Sequence, residues 1–293
     1  MNRNYIKFLA AVLLFGSNGI IASYIALDSY VIVLSRMVMG SIFLLLLLMW
    51  RQQKIWTGPP RRVWGKLILA GLALGGNWLF LYESYTQIGV SLATLACYSG
   101  PVMVLLLSVP LFHERITVIK AAGMVTVIAG MLCVNGVSVQ SQGVSWGLMS
   151  GILSAVCFAL LVIINKKMKG VDGLEGTLCQ LLIGGVMVGA VTFSMHPQIG
   201  VLSLESVLAV IVLGVINTGI GCYLYFSAMQ YLPAQTVSIF GYLEPFSALI
   251  FAAVFLGEIL SLLQILGAVL ILGGVVFAEL CPLFHKKRIR FDE

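Results

Sequence analysis

Charge is what this sequence has least of. Of its 293 residues only 10% are Asp, Glu, Lys or Arg, while 60% are hydrophobic. A soluble domain carries about 25% charged residues, so this chain cannot clothe a water-facing surface and must present its outside to lipid. Catalytic and metal signatures are missing too. There is no HExxH, no GxGD and no DxxD or NxxD cluster. None of the six cysteines forms a CxxC pair, and most lie in apolar runs, where they read as small buried hydrophobes. His113, His196 and His285 fall at helix ends, which argues against an intramembrane metal or haem. No Walker loop is present, so ATP drive is not encoded here. These absences predict no enzyme chemistry, no metal and no cofactor.

What the chain has instead is apolar length. A helix needs about 20 apolar residues to cross the hydrocarbon core, and ten such runs fill the sequence: 5–27, 30–50, 65–88, 91–112, 116–136, 143–164, 174–195, 206–231, 234–256 and 261–280. Of the 17 basic residues, all but Arg36 fall in segments, or at helix ends bordering them, that lie on one side if the N-terminus is cytoplasmic. The positive-inside rule thus predicts a multi-pass protein of the inner or plasma membrane with both termini in the cytoplasm. Arg3 and Lys7 before an apolar run resemble a signal peptide, but the repeat described next requires that run as the first helix.

Pro101 and Pro245 stand 144 residues apart, as do Tyr98 and Tyr242, Glu114 and Glu258, Gly123 and Gly267, and Gly130 and Gly274. With one residue less, Tyr82 matches Tyr225, Ser84 matches Ser227 and Gln87 matches Gln230. A unit of five spans is odd, so its second copy enters the membrane upside down. The expected fold is all-α and integral to the membrane: ten transmembrane helices in two inverted five-helix repeats around a central cavity. The repeats are expected over 1–140 and 141–282, with a basic cytoplasmic tail over 283–293. Inverted repeats are typical of secondary transporters, whose halves rock about a shared site. Pro101 and Pro245 near mid-span each remove a backbone hydrogen bond. Paired breaks of this kind point either to the substrate site or to a packing kink.

The ordered motifs resemble a known family. Phe15-Gly16-Ser17-Asn18, Arg36 in the second span, Trp146-Gly147, Glu244-Pro245, Gly257-Glu258, Gly267 and Gly274 resemble the EamA type of the drug/metabolite transporter superfamily. Gly100-Pro101, Glu114, Gly123 and Gly130 repeat the pattern in the first half. The resemblance implies a cavity lined by helices one, three, four, six, eight and nine, and a carrier that exports amino acids, metabolites or drugs, or imports certain sugars and metabolites. Glu83 departs from the family's usual small or apolar residue.

Ionisable groups in a bilayer cost at least about 2.5–3.5 kcal/mol on insertion scales and face the bundle interior. Counting from helix ends, Arg36 and Glu83 both lie roughly 8–9 Å below one boundary, which makes an Arg36–Glu83 pair plausible as a gate, a zwitterion site or a fixed clamp. Glu244 precedes the second proline. A carboxyl in a low-dielectric interior favours its neutral form, so Glu244, and with it Glu83, are candidates for proton coupling. The other reading of Glu244 is a bond to backbone freed by the proline, or a pair with Arg36. Glu114 and Glu258 read as caps or turn-holders. Trp78, Tyr82 and Tyr85 recur on one helical face beside Asn77. With Tyr98, Tyr225 and Tyr242 they form either an aromatic pocket for an amphipathic organic molecule or ordinary packing, and Asn18, polar within the first span, bonds either substrate or backbone. Gly71, Gly75 and Gly76, with Gly184, Gly185 and Gly189, read as small-residue packing faces.

The expected function is proton-linked export of an amino acid or similar small metabolite by alternating access. The alternatives are uptake or facilitated diffusion of a sugar-like or nucleotide-derived solute and, further off, a membrane enzyme or a channel. Expected partners are a small-molecule substrate, protons and the lipid bilayer, with no nucleic acid, in a monomer or homodimer.

Overall fold

The computed structural model describes residues 3–50, 59–135, 146–168, 170–197, 203–257 and 259–289. Arg51, Lys54, Lys169, Glu258 and Arg290 therefore lie outside the described residues. Every regular element among the described residues is a helix. Nine are long and apolar enough to cross a membrane: α1 (Arg3–Ser23), α2 (Ser29–Trp50), α3 (Arg61–Ile88), α4 (Leu92–Phe112), α6 (Trp146–Lys167), α7 (Gly173–Ser194), α8 (Leu204–Met229), α9 (Ala234–Phe255) and α10 (Leu262–Glu279). The tenth, α5 (Val118–Val134), is apolar but shorter. All ten fall within a few residues of the runs read from the sequence.

The inversion is visible where α5 meets α10. A methyl group on Gly123 would fall 2.8 Å from the Gly274 carbonyl oxygen, and one on Gly130 would fall 2.7 Å from that of Gly267. As residue numbers rise along α5 they fall along α10, so the two helices run antiparallel. Gly123 matches Gly267 in the repeat and Gly130 matches Gly274, so each contact is the symmetry mate of the other, as a two-fold interface demands. The same holds elsewhere. Gly40 of α2 abuts Gly214 of α8, and Gly184 of α7 abuts Gly71 of α3. Tyr98 and its repeat equivalent Tyr242 touch each other, with ring centres 5.6 Å apart. Equivalent residues in mutual contact place the pseudo-two-fold axis between them.

The halves interleave. α3 packs on α6 and α7, α2 on α7 and α8, and α1 on α8 and α9. The glycine faces on α3 and α7 are what allow this: Gly75 would meet the Gly184 carbonyl at 3.1 Å with any side chain. Small residues of this kind let backbones approach where lipid gives no hydrophobic drive between helices.

Three spans are interrupted within their length. α1 breaks at Gly16–Ser17, between Arg3–Phe15 and Asn18–Ser23. α4 breaks at Tyr98 and α9 at Tyr242. The last two breaks fall three residues before Pro101 and Pro245. A proline has no N–H for the carbonyl four residues back, so the carbonyls of Cys97 and Gly241 lose their helical partners and the chain steps there. A fourth irregularity has no counterpart in the sequence reading: Val212–Gly221 of α8 is π-helical. Runs of π-helix this long are rare and π-bulges often mark functional sites. Thr218 Oγ1 donates to the Leu213 carbonyl at 2.9 Å across one wide turn.

Candidate functional site

The four irregular segments surround a polar and aromatic centre. Glu244 opens the second part of α9, two residues after the step at Tyr242. The Tyr98 phenol, from the matching step in α4, faces its carboxyl. Arg36 of α2 and Tyr85, Cys97, Cys222 and Tyr225 of α3, α4 and α8 lie within electrostatic reach of it. Gly16, at the break in α1, is what admits α9 so close. A side chain there would collide with Ser247 Oγ and would stand 2.9 Å from the Glu244 carbonyl oxygen. The Phe15-Gly16-Ser17-Asn18 motif is thus the seat of the α9 step.

Arg36 is 4% exposed. Its Nε donates to Thr218 Oγ1 at 2.9 Å, and its guanidinium carbon stands 4.0 Å from the centre of the Trp78 ring. Among the described residues no carboxylate forms an ion pair with it. The expected Arg36–Glu83 pair is therefore not formed, and the reason is register. Glu83 accepts from the hydroxyl of Tyr30, at the start of α2, from Trp146 Nε1 at 3.1 Å and from Gln87 Nε2 at 3.2 Å. Tyr30 lies six residues before Arg36, about 9 Å along a helix. Glu83 thus belongs to a cluster tying α2, α3 and α6 together at one end of the bundle, while Arg36 faces its middle.

The π-helical stretch positions two adjacent side chains. Thr218 holds Arg36. Asn217 clasps the break in α1, its Nδ2 approaching the Leu14 carbonyl (3.1 Å), Ser17 Oγ (2.8 Å) and Asn18 Oδ1 (2.9 Å). Its own Oδ1 is buried without a hydrogen-bond partner among the described residues. Asn18 is thus engaged in holding the break.

The remaining candidates divide by what already occupies them. Asn77 is buried, and its Nδ2 donates to the Ser154 carbonyl and hydroxyl at 3.0 and 2.9 Å, clamping α3 to α6. Tyr242 is 1% exposed, with its hydroxyl donating to the Tyr98 carbonyl at 2.7 Å. Tyr225 is stacked on Phe8 at 4.7 Å. Tyr82 packs beside Ile25, Ile32 and Leu213, with its ring 5.6 Å from that of Tyr85. Trp78 is half-buried beneath Arg36. Thr218, Asn217, Tyr30 and Trp146 were not singled out for these contacts in the sequence. Only Trp146, in a motif, carried any mark.

Glu114 caps a helix, as read, but a distant one. Its Oε1 and Oε2 accept from the backbone N–H groups of Ala234 and Gln235 at 2.7 and 3.1 Å, closing the start of α9. The first part of α9, Ala234–Gly241, is buried throughout. Its repeat equivalent, the half-helix Val90–Cys97, is mostly half-exposed over its described side chains.

Comparison with known proteins agrees with this architecture. The model of the EamA-like transporter family matches twice, over residues 3–136 and 145–280. YxxF, an uncharacterized transporter of Bacillus subtilis (strain 168), is 27% identical over 274 residues, covering 92% of this chain and 87% of YxxF. PecM of Dickeya dadantii (strain 3937) is 23% identical over 234 residues, 78% of each chain. A solved crystal structure superposes with a TM-score of 0.85 at 18% identity, over 95% of this chain and 98% of that one, which shows a shared fold. With both halves matched across nearly its whole length, this multi-pass membrane protein belongs to the EamA-like transporter family.

Proposed function

We propose that the protein is a proton-linked secondary carrier that exports an amino acid or similar small zwitterionic metabolite by alternating access, with both termini in the cytoplasm. The observation that carries this reading is a pair of opposite charges supplied by opposite halves. Arg36 comes from the first repeat and, among the described residues, has no carboxylate bonded to it; Glu244 comes from the second and lies within its electrostatic reach. A substrate carboxylate pairs with the Arg36 guanidinium, whose planar fork suits bidentate recognition. The substrate's ammonium takes Glu244.

Glu244 then has two competing occupants, a proton and the ammonium. A carrier that crosses with one or the other, but not both, exchanges protons for substrate, so an inward proton gradient drives the substrate outward. Tyr85 and Tyr98 supply apolar ring surface with polar tips around the same point.

The test is flux in proteoliposomes loaded with labelled amino acids under an imposed pH gradient. Glu244→Gln is expected to abolish gradient-driven transport. Undiminished proton-driven flux in that variant would remove Glu244 from the coupling role.

A further inference from the structure

Outside the central site, the lipid-facing surface between α4 and α6 is concave. A groove of roughly 360 Å³ is lined wholly by apolar side chains, chiefly Met103, Leu106 and Leu107 from α4 and Val156, Leu160 and Ile163 from α6. Leu106 and Leu160 are 60% and 42% exposed. The two helices run parallel here: Gly100 lies against Ala155, and Phe112 lies under the ammonium groups of Lys166 and Lys167 at 5.5 and 5.9 Å. Both helices therefore end on the same side of the membrane.

The groove has a charged end. Val156, Leu160, Ile163 and Lys167 recur at helical spacing on one face of α6, so the apolar strip runs directly into Lys167. Arg115 follows the end of α4 on the same side. Both are exposed, and among the described residues neither is in an ion pair. The nearby acid does not neutralise them by contact, because both Glu114 oxygens are spent on the start of α9. Lys166 turns inward to the Leu232 carbonyl.

We propose that this groove and its basic end seat one anionic phospholipid, an acyl chain lying between α4 and α6 and the phosphate resting against Lys167 and Arg115. The groove alone gives no selectivity, since lipid tails are as apolar as its leucines. Selection comes from the head. A basic residue at the membrane surface favours anionic lipid by about five-fold, and Lys167 reaches the headgroup level by its long apolar stem.

The experiment is native mass spectrometry of the full-length protein in detergent, titrated with phosphatidylglycerol or phosphatidylcholine of identical chains. The wild type is expected to retain the glycerol lipid at least five-fold better than the choline lipid. The Lys167→Gln, Arg115→Gln double variant should lose that preference with its lipid-free melting temperature unchanged. Leu160→Trp, which fills the groove, should weaken both lipids. Excess inorganic phosphate should not displace the bound lipid. Equal retention of the two lipids by the wild type, or a full preference in the double variant, overturns the proposal. Displacement by phosphate alone would do the same, marking a free-anion site.

Discussion

A buried guanidinium with no carboxylate bonded to it among the described residues separates two roles that charge alone would merge. Arg36→Lys keeps the positive charge but loses the Nε bond to Thr218 and the guanidinium's contact with the Trp78 ring. If Arg36 receives substrate, this variant is expected to raise the KM for efflux about ten-fold, a loss of about 1.4 kcal/mol, while the melting temperature moves little. A large fall in melting temperature with unchanged KM would make Arg36 a fixed clamp. Arg36 itself was legible, because a lone charge in an apolar run must have a reason. Its partner was not, since one threonine in the Gly-rich run Gly214–Gly221 leaves no periodic mark. The pairing with Glu83 was misread because depth was counted from helix ends, which do not fix the register of two neighbouring helices.

At the scale of the element, the informative features are interruptions. Gly16 is required by close approach rather than by its own backbone angles, and Gly16→Val is expected to drive α1 off α9. Overpacking of this kind costs about 1–3 kcal/mol, to be read as a lowered thermal midpoint together with lost transport. Asn217→Leu takes the amide donor from Asn18 Oδ1, while the Leu14 carbonyl keeps the N–H and hydroxyl of Ser17. Leaving such a group unpaired costs about 1–3 kcal/mol, and rescue by Asn217→Gln would show that the amide rather than the shape is what counts. The proline steps could be placed from sequence because the missing N–H has a known address four residues back. The π-helix could not, since its residues differ from a weak α-helix only in which carbonyl each N–H chooses.

For the whole molecule, two-fold symmetry makes the unequal burial of equivalent segments meaningful. Thr94 and Ser238 occupy matching positions, yet Ser238 is fully buried and Thr94 is not. On a background with the native cysteines replaced, Thr94→Cys is expected to react with a membrane-impermeant maleimide from one face while Ser238→Cys is protected. During turnover Ser238→Cys should become reactive from the opposite face. Equal, unchanging reactivity at both positions would contradict alternating access. The ten spans and the inverted repeat were legible because apolar length and matched glycines and prolines are properties of the chain itself. How the two halves interleave was not, because helix partners across a repeat leave no signature in spacing.

That interleaving bears on how the protein comes to exist. α1, α2 and α3 take their main neighbours from α6 to α9, so on leaving the ribosome the early helices find few of the surfaces they are shaped to touch. They must dwell in the bilayer, glycine faces uncovered, until the later ones are translated. The first half made alone should be cleared by proteases, and co-expression of the second half as a separate chain should rescue it.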